Sequence, residues 1–205
     1  NNHVSLGHNL LAIYGDIGQS LQPYLYKDSA LVFNGAIYNH KDFYPEYDID
    51  THALARGLYE HGVDFLKNLE GMWSLAFYKD GKLIIARDHF GVKPLFYRQT
   101  DKGLIFSSSI KALENKENKL NLFAFALYRH FGYVPGWLTL IDGTNKLTPG
   151  QWIQYDCQKR KQTTGNTWDS HKFAKTGFDK SEFKNNLEAA IKKSHIGVRQ
   201  RGIFL

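Results

Sequence analysis

Cysteine is nearly absent from the sequence, since Cys157 is the single cysteine among 205 residues. One cysteine cannot build a disulfide framework or a cysteine-based metal site, and we interpret Cys157 as a structural thiol. Such scarcity fits the reducing cytoplasm, which is the location we predict. The 9 histidines do not stand in the spacing of an HExxH zinc site. The sequence therefore predicts no metal site in this chain.

Long uncharged apolar runs are also absent, and none reaches the length of a membrane span. The formal net charge is +6, but the basic residues are scattered. The longest basic run covers residues 159–161 and has no aromatic platform beside it. We therefore interpret the charge as a solvated surface and expect neither a membrane nor a nucleic acid as partner.

Hydrophobic residues make up 42% of the chain, which is enough for one large core. Asp80-Gly81 and Lys102-Gly103 each separate two strand-like segments, and such pairs favour tight hairpins. Helical spacing of apolar residues, together with capping signals, predicts helices between the strands. Hairpins interleaved with helices predict an α+β fold with largely antiparallel sheets. The predicted elements are strands at 4–13, 30–38, 72–78, 82–87, 95–98, 104–107 and 152–157, helices at 50–62, 64–70, 122–131 and from 179, and a polar linker at 158–176.

The segment 31–40 reads LVFNGAIYNH and interrupts a strand-like run with Asn34-Gly35. Such a pair commonly forms a turn or a bulge. The alternative is that an amide side chain and a bare backbone hold a small charged ligand there. Taken singly, Asp50 is equally well explained as a helix cap, and Arg87-Asp88 as a charged pair before a Gly-Pro loop.

Taken together, these segments are more specific, and the chain resembles the amino-terminal glutaminase domain of asparagine synthetase. That domain is a class II glutamine amidotransferase of the N-terminal-nucleophile hydrolase type. The resemblance implies a four-layer αββα sandwich over residues 1–160, with the family's first strand missing, a linker at 161–178 and the start of an ATP-dependent synthetase domain at 179–205. The matching segments are Leu6-Gly7-His8, Gln22-Pro23, FNGAIYNH at 33–40, Asp50-Thr51, LEGMWSLAFY at 69–78, RDHFGVKPLFY at 87–97, FSSSIKAL at 106–113 and LTPG at 147–150.

The resemblance also implies roles for residues of this chain. The Asn34 side chain and the Gly35 amide would form an oxyanion hole, and each such donor can lower the barrier by about 3–4 kcal/mol. Asp50 would hold the α-ammonium group of glutamine, and Asn34 would also contact the substrate. For Arg87 and Asp88 we favour a structural role.

Several positions depart from the family pattern. The family's nucleophile is an amino-terminal cysteine, which this chain does not contain, and Cys157 cannot replace it. The family's arginine for the substrate carboxylate aligns with Leu10, and two family carboxylates align with Ala36 and Ser109. We therefore expect weakened or lost glutamine hydrolysis. The alternative is a locally shifted alignment in which His8, Asn9 or an arginine from elsewhere binds that carboxylate.

For the complete protein the resemblance implies ATP-dependent amidation of aspartate, with ATP and Mg²⁺ bound outside this chain, and a homodimer. This chain alone would catalyse neither half of that reaction. Two alternatives stay open: a degenerate glutaminase domain that serves as a docking module, and a related amidating ligase that acts on another acceptor.

Overall fold

The computed structural model describes residues 4–9, 21–115, 118–168 and 177–194. Within these ranges the chain forms nine strands and four α-helices. The strands are β1 (Tyr24–Tyr26), β2 (Ser29–Ile37), β3 (Gly71–Lys79), β4 (Lys82–Arg87), β5 (Phe96–Thr100), β6 (Gly103–Ser107), β7 (Asn145–Lys146), β8 (Gln151–Asp156) and β9 (Lys161–Asn166). The helices are α1 (His40–Phe43), α2 (Asp50–His61), α3 (Leu122–Phe131) and α4 (Lys180–Ser194), with 3₁₀ helices at Gly62–Asn68 and Ile110–Leu113. No helix in these ranges has the length and apolarity needed to span a membrane.

The strands form two sheets, and every pairing in them is antiparallel. The larger sheet has six strands in the order β1-β2-β3-β4-β8-β9, and the smaller has the order β6-β5-β7. Both predicted hairpins are present, as β3 with β4 and β5 with β6. The prediction of an α+β fold with antiparallel sheets is confirmed.

Side chains along the strands of the large sheet alternate between its two faces, and each face carries a hydrophobic core. In β2, Leu31 and Phe33 pack against the cluster that includes α2, whereas Val32 joins the cluster shared with the small sheet. Successive side chains of a strand point to opposite faces, so one strand serves both clusters. Trp73 and Phe77 of β3 are almost completely buried on the helical side, and burial of each contributes roughly 1.5–3 kcal/mol. The resulting layers are helices, the large sheet and the small sheet.

Helix α2 forms as its sequence predicts. It begins at Asp50 and ends before Gly62, whose φ of 58° is left-handed. Leu54 and Leu58, four residues apart, are buried on the face toward the sheet. This packing places the first residue of α2 beside the end of β2.

Three local predictions differ from the structure. Residues 4–9 of the predicted first strand have no regular structure, and its remainder lies outside the described residues. The helix predicted at 64–70 is a 3₁₀ helix over Gly62–Asn68. The predicted linker contains β9, which pairs with β8 along its whole length. The side chains of β9 are mostly exposed, so an alternating apolar pattern was absent and the strand was missed.

Helix α4 agrees with its predicted start, since the N–H of Glu182 donates to Asp179 Oδ1 at 2.7 Å. It has no buried residue, and its apolar residues Phe183, Leu187 and Ile191, which recur four residues apart, are exposed. The assignment of this helix to a second domain stays a prediction.

Candidate active site

Asn34 and Gly35 lie inside β2 and do not form a turn. Gly35 pairs with Trp73 of β3, and the one-to-one register continues on both sides of it. The φ of Gly35 is 146°, and a Cβ atom there would lie 2.0 Å from the carbonyl oxygen of Met72. Glycine is therefore required at this position, because the backbone of β3 passes too close for any side chain.

Within the described ranges, the outer edge of β2 is only partly covered. Strand β1 pairs with it over Ser29–Leu31. Beyond that point the N–H of Phe33 donates to Oε1 of Gln22 at 2.6 Å, and the N–H of Ile37 donates to Oδ2 of Asp50 at 3.0 Å. In an antiparallel strand every second residue points its peptide groups to the same edge. The N–H of Gly35 therefore points outward between these two side chains, and no partner for it is found among the described residues.

The side chain of Asn34 lies next to this open peptide. It shares its strand face with Val32 and Ala36, toward the small sheet, and it is half-buried. No hydrogen bond of its amide is found within the described part of the chain. Asn34 and Gly35 thus offer a side-chain donor and a backbone donor from adjacent residues. Whether they act as an oxyanion hole stays a prediction.

Asp50 lies at the other end of the open edge, as the first residue of α2. It is 3% exposed, and its contact with Ile37 fixes it against β2. Burial raises the pKa of the Asp50 carboxyl, while the Ile37 N–H and the nearby His40 act in the opposite direction. The structure therefore places a buried carboxylate two residues along the strand from Gly35. A cationic group of a ligand would relieve the cost of burying this charge.

His8 also lies beside this strand. Its ring contacts the backbone of Phe33, the residue before Asn34, and its Nδ1 atom is buried without a partner in the described structure. Burial lowers the pKa of His8, although the Phe33 contact partly opposes this. A neutral imidazole cannot supply the positive charge that an arginine gives a carboxylate. The alternative role of His8 therefore reduces to that of a neutral hydrogen-bond donor.

The departing positions that the structure describes, Ala36 and Ser109, place no charged group at this edge. Ala36 is buried within β2, and Ser109 precedes the 3₁₀ helix at Ile110–Leu113. Leu10 lies outside the described residues. Cys157 follows β8, which β3 and β4 separate from β2. Burial raises the pKa of its thiol, as expected of a structural cysteine.

Asp88 organises the loop after β4. Its side chain is fully buried, and its carboxylate accepts four backbone N–H groups at 3.0–3.2 Å. The donors are the N–H groups of Trp73, Phe90, Val92 and Lys93. This use of both oxygens by the backbone agrees with the structural role favoured from the sequence.

Arg87 is occupied in the same way. Its guanidinium donates to the carbonyl oxygens of Lys93 at 2.7 Å, Leu147 at 2.6 Å and Gly91. All three acceptors belong to backbone segments that flank the sheet. The Arg87 side chain thus ties the loop after β4 to the turn before β8.

Two features of the site could not be found from the sequence. One is the contact of Gln22 with Phe33, since no local spacing rule links an amide side chain to a backbone group 11 residues away. The other is a pair of buried ring nitrogens, Trp73 Nε1 and His89 Nε2, that have no partner among the described residues. The two rings meet edge to face at 6.2 Å. From the sequence alone, Trp73 is simply a core residue, as aromatic strand residues usually are.

Comparison with known proteins identifies the family. The family described as glutamine amidotransferase domain matches residues 1–168. Asparagine synthetase B [glutamine-hydrolyzing] of Escherichia coli is 30% identical, over 93% of this chain and 32% of its own length. Asparagine synthetase [glutamine-hydrolyzing] 1 of Bacillus subtilis is 31% identical, over 72% of this chain and 26% of its own length.

Among solved structures, the glutamine phosphoribosylpyrophosphate amidotransferase of B. subtilis aligns with a TM-score of 0.49 and 16% identity, over 73% of this chain and 32% of that one. This chain spans about a third or less of the length of the two curated relatives. The family match covers residues 1–168 and therefore most of the sequence, including Asn34, Gly35 and Asp50. The chain belongs to the family of glutamine amidotransferase domains.

Proposed function

We propose that this chain is the glutamine-binding domain of a glutamine-hydrolysing asparagine synthetase, where it serves the supply of ammonia. The observation that carries the proposal is the Gly35 peptide, whose N–H has no partner among the described residues and which is bracketed on the edge of β2 by Asp50 and Gln22. The relatives named asparagine synthetase support the choice of the whole enzyme.

The spacing of the open donor and the buried carboxylate suits glutamine. The N–H groups of Gly35 and Ile37 lie two residues apart, which corresponds to about 6.7 Å along a strand. Glutamine carries its carboxamide and its α-ammonium group at the two ends of an extended chain with two methylene groups between. Its carboxamide oxygen can therefore meet Gly35 while the ammonium group approaches Asp50. Asparagine is one methylene shorter and cannot reach both groups as well.

Asn34 and Gly35 would then act on the reacting carbonyl. Attack of a nucleophile on the carboxamide carbon turns its oxygen into an oxyanion, which two converging donors stabilise before ammonia leaves. The single thiol of the chain, Cys157, lies beyond two further strands and is not the nucleophile at this edge. The proposal therefore assigns binding and oxyanion stabilisation to this chain. It assigns no bond-breaking step to Cys157.

We further propose that glutamine hydrolysis is weakened in the complete protein. Ala36 places no carboxylate at its position in β2, and Leu10 cannot pair with a substrate carboxylate. An unpaired substrate charge in a desolvated site costs roughly 2–5 kcal/mol of binding. The second candidate function, a docking module without glutamine binding, is favoured by the same two residues.

Calorimetric titration of the 205-residue chain with glutamine separates these candidates. We expect binding of glutamine, and weaker binding of asparagine. Asn34→Ala should weaken the glutamine affinity by about fivefold, the loss of one net hydrogen bond, without lowering the melting temperature. Asn185→Ala on the exposed face of α4 is the matched control and should change neither quantity. Absence of glutamine binding at millimolar concentration would overturn the proposal and leave the docking module.

The remaining properties of the complete enzyme rest on the same family relationship. They are ATP and Mg²⁺ as cofactors, aspartate as acceptor, assembly as a homodimer and location in the cytoplasm. In the described ranges no group of three or more His, Cys, Asp or Glu side chains could hold a metal ion. The residues described here thus do not fit a magnesium site, and no step of the proposal passes through Mg²⁺ or ATP.

A further inference from the structure

Gln22 binds the backbone of Phe33 through both ends of its amide. Its Oε1 accepts the N–H of Phe33 at 2.6 Å, and its Nε2 donates to the carbonyl of Phe33 at 3.0 Å. The two contacts reproduce the pattern of a neighbouring strand, in which one residue exchanges two hydrogen bonds with its partner. The side chain of Gln22 therefore substitutes for one residue of a missing strand.

The need for this substitution follows from the course of β1. Its pairing with β2 reaches Leu31 through Tyr24, and Pro23 comes next. The main-chain ladder therefore ends at the pair of Tyr24 and Leu31 and does not reach Phe33. Phe33 is only 4% exposed, and without Gln22 its N–H would be buried without a partner among the described residues, while its backbone would keep the contact with His8. A buried N–H without a partner destabilises the folded state.

We propose that Gln22 is a positioning residue that holds the open peptide of Gly35 in the orientation used for the oxyanion contact. This inference rests on the proposed function. Gly35 has no side chain to restrain it, and as far as the described residues show, its outward-facing N–H is held only through its neighbours in β2. Gln22 fixes the strand two residues before Gly35, and Asp50 fixes it two residues after. The loss of either anchor frees one end of this segment.

A matched control exists elsewhere in the large sheet. Oε1 of Gln151 accepts the N–H of Thr148 at 2.9 Å and its hydroxyl at 3.0 Å. Gln151 is half-buried at the start of β8, which β3 and β4 separate from β2. Gln151→Ala therefore removes a comparable amide contact without touching the edge that carries Gly35.

The first measurement needs no ligand. ¹⁵N relaxation of the 205-residue chain reports the order parameter of the Gly35 amide, which is about 0.85 for rigid backbone and below about 0.6 for flexible backbone. We expect a clear fall in Gln22→Ala and no change in Gln151→Ala. An unchanged order parameter in folded Gln22→Ala would overturn the inference.

Gln22→Glu provides the second variant and a pH profile. A protonated carboxyl offers an acceptor to the Phe33 N–H and an O–H donor to the Phe33 carbonyl, as the amide does. A carboxylate keeps the acceptor but repels the carbonyl. We expect Gly35 to be as rigid as in the wild type at low pH and to loosen as the introduced group ionises. A general loss of stability would affect Gln151→Ala as well, and it would not follow the ionisation of the introduced glutamate. If the mobility of Gly35 in Gln22→Glu does not change with pH, the inference is contradicted.

The glutamine affinity supplies the third measurement. We expect Gln22→Ala to bind glutamine about tenfold more weakly than the wild type, and Gln151→Ala to stay within twofold. Equal losses in both variants would show a general effect and overturn the inference. If the wild type binds no glutamine, the proposed function fails, and the Gly35 order parameter still decides whether Gln22 positions the peptide.

Discussion

Trp73 and Asp88 are joined by two hydrogen bonds of opposite direction. The N–H of Asp88 donates to the carbonyl of Trp73 at 2.8 Å, and the N–H of Trp73 donates to Oδ2 of Asp88 at 3.2 Å. Trp73 is also the residue of β3 that lies opposite Gly35. The loop organised by Asp88 therefore supports the inner side of the candidate site, while Gln22 and Asp50 support the outer edge.

Gly35→Ala should destabilise the fold strongly. The added Cβ would overlap the Met72 carbonyl oxygen, and the positive φ adds strain, so we expect a loss of about 3 kcal/mol or more in the free energy of unfolding. Urea denaturation measures this loss. Gly143→Ala is the control, because Gly143 has φ +70° but open space around it, and it should lose only about 1–2 kcal/mol. Equal losses would show that close packing is not the reason for glycine at position 35.

Asp50→Asn should stabilise the fold at high pH. Because burial raises the pKa of Asp50, its contribution to stability is largest below the pKa of the unfolded chain and is lost as pH rises through the folded pKa. Asparagine imitates the protonated form, so the variant should melt above the wild type at pH 8, and this difference should narrow toward pH 4. Calorimetric melting at several pH values tests this expectation.

Asp48→Asn is the control, because its effect on stability should depend on pH in the opposite direction. Lys41 lowers the pKa of exposed Asp48, so its small contribution to stability is present above the unfolded pKa and is lost as pH falls.

The same Asp50→Asn protein should lose glutamine binding. A variant that is destabilised at pH 8, or that still binds glutamine normally, would contradict the assignment of Asp50.

Arg87→Lys should cost about 3 kcal/mol of stability, although it preserves the charge. An ammonium group cannot reach the three carbonyls that the planar guanidinium contacts, and buried carbonyls would remain without partners. Arg160→Lys is the matched control, since exposed Arg160 donates to one carbonyl, that of Asp101. Urea denaturation should show that Arg160→Lys lowers the free energy of unfolding by no more than about 0.5 kcal/mol. Comparable losses of stability in the two variants would contradict the structural role of Arg87.

Cys157 should react slowly in the folded chain. Burial raises the pKa of its thiol, so little of the nucleophilic thiolate is present at neutral pH. We expect alkylation by iodoacetamide at pH 7 to be at least tenfold slower in buffer than in urea, as followed by mass spectrometry. Cys157→Ser should leave the glutamine affinity unchanged. Rapid modification of the folded chain, or weaker glutamine binding by the variant, would contradict a purely structural thiol.

The sequence was sufficient where local rules apply. The Asp80-Gly81 hairpin and the helix from Asp50 are formed by turn chemistry and apolar periodicity, and both are present in the structure. It was insufficient for β9, whose strand depends on pairing with β8 and carries almost no apolar signal.

In the candidate site, too, some features follow from the sequence and others depend on tertiary contacts. A turn at Asn34-Gly35 was one of two explanations, and only the close approach of β3 shows that glycine is required within a continuous strand. Family resemblance singled out Asn34 and Asp50. The clamp of Gln22 on Phe33 requires knowledge of the tertiary path, because it depends on where β1 stops.

The partly covered edge of β2 has a consequence for self-association. Strand edges with several free peptide groups can recruit a strand from another molecule and seed aggregates. In the described part of the chain, Gln22 and Asp50 occupy the groups on either side of Gly35, so the free stretch is one peptide long. A small ligand can bind to a single free peptide group, but pairing with a strand of another molecule needs several free groups in succession. The same two side chains that flank Gly35 at the candidate site therefore also protect the protein against amyloid-like pairing at this edge.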